Sequence, residues 1–129
     1  MVKPVRGLWK VKWFPKKAST TFLKGELVDL VSGSVQPSTS STVSTLGINQ
    51  DSAYASSDAT TVKIPVLVAK SRGAELESDT TAVVTVGSEY DLSDSQTIDA
   101  AASSNDTVTA IKVITTTRAV FALNKAQLA

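Results

Sequence analysis

Apolar and polar residues alternate along this chain with a period of two, in short runs separated by turn residues. Trp9, Val11 and Trp13 alternate with Lys10 and Lys12, which predicts a strand with one apolar and one charged face. Pro15 should end it, because proline cannot donate to a ladder. Residues 25–31 read as a second strand, closed by the turn signal Ser32-Gly33. Residues 34–45 are almost all Ser, Thr, Val, Gln and Pro, and read as a solvated loop with a short strand around Val43. Leu46-Gly47-Ile48 restarts the apolar pattern, and residues 54–61 are small and polar. Val62, Ile64, Val66 and Val68 then alternate with Lys63, Pro65, Leu67 and Ala69, and Pro65 argues for an edge strand or a bulge.

Further along, Ala82, Val84 and Val86 share one face of a strand that Gly87 breaks. Ser93 and Gln96 have capping-box spacing, which would start one helical turn through Ile98 and Ala101, although Thr97 and Ile98 also fit a strand. Residues 108–117 are rich in Thr, Ile and Val, and residues 119–123 form a last apolar strand. Turn signals recur roughly every ten residues and no long 3.6-period segment competes, so the chain reads as all-β, a small barrel or sandwich. There is no internal repeat, though residues 25–68 and 82–123 are candidates for two related lobes. A length of 129 residues suits one domain. We divide it into an extended basic, aromatic N-terminal arm (1–23) and a β domain (24–129).

Composition sharpens this picture. Aromatics are only 5% of the chain, so the core must rest on Val, Leu, Ile and Ala. With 17 serines and 16 threonines, the surface is rich in hydroxyls. The net charge of +1 hides a segregation. Lys3, Arg6, Lys10, Lys12, Lys16, Lys17 and Lys24 fall in an N-terminal stretch without acids. Glu75, Glu77, Asp79, Glu89, Asp91, Asp94, Asp99 and Asp106 fall in a stretch without bases. The acidic zone reads as a solvated face, or as a receptor for the basic arm of a neighbouring subunit. No run approaches the roughly 18 apolar residues of a membrane span, and no signal-peptide h-region follows the basic start. The expectation is a soluble protein made in a cytoplasm.

Chemistry is sparse. The chain has no histidine and no cysteine, which excludes Ser-His-Asp and Cys-His sites and thiolate metal centres. A Ser-Lys dyad stays formally open, but no lysine sits in an apolar run that would depress its pKa. Glu75 with Glu77, and Asp91 with Asp94, are candidate pairs for glycoside hydrolysis or calcium binding. Asp91-Leu92-Ser93-Asp94 does not follow the EF-hand loop spacing and lacks its central Gly, and the plainer reading of the two pairs is a solvated strand face and a turn. No phosphate-binding glycine motif is present. Neither a cofactor nor a metal is expected, and an enzyme is the weakest reading. The sharpest feature is the basic aromatic segment with Lys3, Arg6, Trp9, Lys10, Lys12, Trp13, Phe14, Lys16 and Lys17. Its tryptophans could anchor a protein interface, pack on the chain's own core, or stack bases while lysines meet phosphates.

Several short stretches resemble the decoration proteins of tailed-bacteriophage heads, also called cement or head-stabilising proteins. They are Phe22-Leu23-Lys24-Gly25-Glu26-Leu27-Val28, the Ser32-Gly33 turn with the Ser/Thr-rich segment after it, and Leu46-Gly47-Ile48. Val86-Gly87-Ser88-Glu89-Tyr90-Asp91-Leu92, Gln96-Thr97-Ile98-Asp99 and Ala119-Val120-Phe121-Ala122-Leu123-Asn124 are also similar. The likeness covers residues 22–124, and the basic arm departs from it. It implies a β-tulip-like structural protein on the outer capsid surface of the virion. Its partner would be the major capsid protein, whose capsomers it bridges on the expanded shell. It also implies a homo-oligomer, a trimer ahead of a dimer, while the nine residues of the basic segment are expected, from their own pattern, to bind the capsid or a sister subunit, with neither membrane nor nucleic acid as partner. The competing readings are a single-stranded nucleic-acid-binding barrel and a tail or fibre module.

Overall fold

The computed structural model describes residues 1–51 and 62–128, so the polar run at 54–61 lies outside the described residues. Among the described residues every helix or strand element is a strand. These are β1 (Lys3–Arg6), β2 (Trp9–Pro15), β3 (Leu27–Val31), β4 (Ser34–Pro37), β5 (Gly47–Asn49), β6 (Lys63–Ala69), β7 (Glu75–Thr80), β8 (Glu89–Leu92), β9 (Thr97–Asp99), β10 (Val108–Thr115) and β11 (Arg118–Leu123).

They form two units. In the first, β7-β11-β10-β8-β9 closes into a small mixed barrel, because β9 returns to pair with β7 in parallel at Asp79 and Thr80. β1 lies antiparallel on the same edge of β7, opposite Glu75, Leu76 and Glu77. The second unit is the antiparallel sheet β2-β6-β5-β3-β4. It curls until Lys16 bridges Val35, next to the end of β2.

The pleat explains how few aromatics suffice. Adjacent residues of β3 point to opposite faces. Leu27 joins Ile48 and Ala69 against barrel residues including Leu76, Leu92, Ile98 and Phe121. Val28 joins Phe22, Val35, Leu46, Ile64, Val66 and Val68 in a second core on the other face. Each such aliphatic side chain contributes about 2 kcal/mol on leaving water. The sheet is therefore buried on both sides near its centre. Gly47 is needed there because a Cβ would strike the carbonyl of Leu67 on β6.

Strands stand where 9–13, 46–48, 62–69, 108–117 and 119–123 predicted them, as β2, β5, β6, β10 and β11, and 25–31 is a strand from Leu27. Four expectations are corrected. Residues 34–37 are a strand: Ser32 (φ 51°) and Gly33 (φ 84°) both adopt positive φ, as in a two-residue hairpin turn, and the chain reverses at once. Val43 lies in the loop that follows. Pro65 sits in a central strand between β2 and β5. It is tolerated because its partner on that side, Gln50, lies just past the end of β5 and only donates, to the Pro65 carbonyl at 3.0 Å. Residues 82–86 are irregular and only Val84 of the three is buried, while the strand runs over Glu75–Thr80 instead. Ser93 and Gln96 flank a hairpin turn between β8 and β9, where Asp94 accepts the Gln96 N–H, and no helical turn forms.

The N-terminal segment is not an extended arm. Its strands β1 and β2 belong to different units, one on the barrel and one on the curled sheet. The strand that the period-two pattern predicts pairs within the chain, along β6, and of its apolar face only Trp9 is half-buried.

Candidate interaction surface

The charge segregation resolves within the chain. β1 sets Lys3 opposite Glu77 and Arg6 opposite Glu75. From the other side, β11 supplies Arg118, whose Nε donates to Glu77 Oε2 (2.5 Å) and Nη1 to Asp79 Oδ1 (2.6 Å). The Arg118 hydrogen bond, helped by the N-terminal ammonium at 3.7 Å, holds the Asp79 carboxyl below the usual carboxylate range. The acidic strand expected to receive a neighbour's arm thus receives the chain's own first strand.

The nine predicted residues separate by environment. Trp9 is half-buried, packs on the barrel core and donates its indole N–H to the Arg6 carbonyl (2.9 Å). Phe14 is half-buried against the second core. Lys16 is fully buried, with its Nζ donating to the Lys17 carbonyl (3.2 Å) and lying 5.8 Å from the Phe22 ring centroid. These three are parts of the scaffold. Lys3, Arg6, Lys10, Lys12, Trp13 and Lys17 reach solvent.

Register decides what β2 displays. Lys10 pairs with Val68 and Lys12 with Val66, so both lysines rise from the face that carries the second core. Val11 pairs with Leu67 and Trp13 with Pro65 on the opposite face. Beyond Trp9 that face has run past the barrel, leaving Val11 51% and Trp13 61% exposed. The apolar face of this strand is therefore the outward one at its far end.

The Ser/Thr-rich segment expected to be a solvated loop is a clamp. Asp29 accepts the hydroxyls of Ser38 (2.7 Å) and Thr42 (2.6 Å), and all three are buried. Thr107 from the barrel donates to the Thr42 carbonyl (2.6 Å), and Asn105 to that of Ser40 (3.1 Å). Burial raises the Asp29 carboxyl against the opposing pull of its hydroxyl donors. Glu26 is a second link: it accepts the Leu23 N–H and the Ser95 hydroxyl, and desolvation raises its carboxyl too.

Asp91, Asp94 and Asp99 act as turn acceptors. Asp91 accepts the N–H groups of Ser104, Asn105 and Asp106 at 2.7–3.0 Å, ordering the loop before β10. A surface depression lined by Glu89, Asp106 and Asn124 is polar, and Asn124 there already bonds Thr109 and the Asp106 carbonyl. Among the described residues no three carboxylates converge as metal ligands would. The sequence reading missed a second exposed apolar feature, Ile111, Val113 and Ile114 near the turn of the β10–β11 hairpin. Its signal was the adjacent Val113-Ile114, which breaks the period of two. No family model and no curated protein matches this chain.

Proposed function

We propose that this chain is a structural virion protein that binds the outer surface of an expanded phage capsid and stabilises it by bridging capsomers. The observation that carries this reading is the exposed quartet Lys10-Val11-Lys12-Trp13, held on a strand whose neighbours are locked into two cores. Indole and lysine on a rigid strand suit adhesion, since little side-chain and backbone freedom is lost on docking. Among the described residues, Glu26, Asp29 and Asp91 are engaged in clamps and turns. The resemblance of its short motifs to phage decoration proteins points the same way, as does an all-β chain rich in Ser and Thr. The major capsid protein is the partner, and self-association as a homo-oligomer adds avidity across a lattice, so each contact can be modest.

The test is co-sedimentation of purified protein with expanded heads that lack it, followed by heat or chaotrope challenge of the particles. Saturable binding with raised particle stability supports the reading, and Trp13→Ser should weaken it by about tenfold or more. A protein that ignores heads but shifts oligonucleotides with a steep salt dependence would replace it with the nucleic-acid reading. One exposed indole, Trp13, is a poor platform for successive bases, which is why that reading ranks second.

A further inference from the structure

We propose that the outer edge of β2 accepts an extended acidic segment of a partner protein as an added strand. This rests on the adhesive reading above and names the chemistry of what is held.

The edge is defined by hydrogen-bond parity. At one end of the β2–β6 pairing, Lys16 N donates to Val62 O (2.9 Å), and at the other Lys70 N donates to Leu8 O (2.8 Å). The register is unbroken between them. Even-numbered residues therefore exchange bonds with β6, and Trp9, Val11 and Trp13 turn their N–H and C=O groups the other way. Lys17, also odd, uses that outer side: its N–H donates to Val35 O on β4 (2.8 Å). Further up, β2 has no strand neighbour but β6 among the described residues. The unpaired stretch is flanked by Lys10 and Lys12 on one face and by exposed Val11 and Trp13 on the other.

The lysines select the occupant. A second copy pairing antiparallel about Val11 would set Lys10 against Lys12 twice, and pairing about Lys12 would set that lysine on its mate. Like charges directly opposite destabilise a ladder, and edge lysines are a common guard against self-pairing. A strand with carboxylates opposite Lys10 and Lys12, and apolar residues opposite Val11 and Trp13, meets complementary groups on both faces while its backbone completes the ladder.

The probe is a labelled ten-residue peptide alternating Glu with Val, compared by fluorescence anisotropy with its Lys-for-Glu counterpart at low salt. The Glu peptide should bind the full-length protein, the Lys peptide at least about tenfold more weakly, and added salt should narrow the gap. The double variant K10E/K12E should exchange the preference, an outcome that mere damage to the fold would not produce. Val11→Pro removes an outward N–H without touching the β6 ladder, and should lower Glu-peptide binding about tenfold with the β signature intact. Hydrogen exchange of the Val11 and Trp13 amides should slow when the peptide is bound. No binding up to about 1 mM peptide, equal binding of both peptides, or an unchanged preference in K10E/K12E overturns the proposal. Wild-type sedimentation with heads separates the two ideas: heads bound without peptide binding removes only this inference. Peptide bound without head binding removes only the capsid reading.

Discussion

Replacing Asp29 by alanine tests whether the Ser/Thr-rich segment is a clamp or a passive loop. The carboxylate is buried and accepts two buried hydroxyls, those of Ser38 and Thr42. Removing it leaves both without their acceptor in a site closed to bulk water. An orphaned buried donor costs about 1–3 kcal/mol, partly offset because a desolvated carboxylate also disappears, so a net loss of about 3 kcal/mol is expected. Urea unfolding followed by circular dichroism measures this directly, as a lower midpoint with an unchanged slope. Asp29→Asn separates charge from shape. The folded-state pKa of Asp29 lies above its ordinary value of 3.8, so protonation favours the folded chain. That contribution is fully present below the unfolded pKa and is lost as pH rises through the raised folded value. The asparagine variant has no such term, so its deficit relative to wild type should be largest near pH 3 and shrink toward neutrality. Glu26, shifted in the same direction, is common to both proteins and cancels in the difference. A D29A protein within about 0.5 kcal/mol of wild type, the range of inconsequential surface changes, would refute the clamp.

Three further variants test other contacts of the fold. Arg118→Met breaks the ties to Glu77 and Asp79 in a partly exposed setting, and should cost about 1 kcal/mol, less at high salt. Since Asp79 is held below its usual pKa, wild type loses that contribution as pH falls through the lowered folded value, and the variant's acid unfolding profile should be correspondingly flatter. Trp9→Ala should destabilise by about 2–3 kcal/mol through lost core packing, whereas Trp13→Ser should change the unfolding midpoint little and register mainly in head binding.

The all-β class was legible because period-two runs such as 9–13 and 62–68 recur between turn signals and no long 3.6-period segment competes with them. What escaped was decided by partners distant in sequence. Whether Lys16 faces solvent depends on where Phe22 and Val35 come to lie, and nothing local to Lys16 announces a buried ammonium. Pro65 looked like an edge residue because its own missing donor is visible, while the early end of β5 that makes it harmless is not. The same holds for the N-terminal segment. Its composition correctly marked it as distinctive, but only the register against Glu75, Glu77 and Leu67 shows which of its groups are spent inside the fold and which stay outside. Of the candidate set, Lys10, Lys12 and Trp13 stay together on one exposed strand, and Trp9, Phe14 and Lys16 leave it for the cores.

The placement of β1 and β2 also bears on how the molecule is made. Trp9–Pro15 has no sheet to join until β6 is synthesised, and Lys3 must wait for Glu77. During that interval the nascent chain carries two bare indoles in an unpartnered segment. The interspersed lysines give it a self-repelling character that discourages premature aggregation while the late strands are translated.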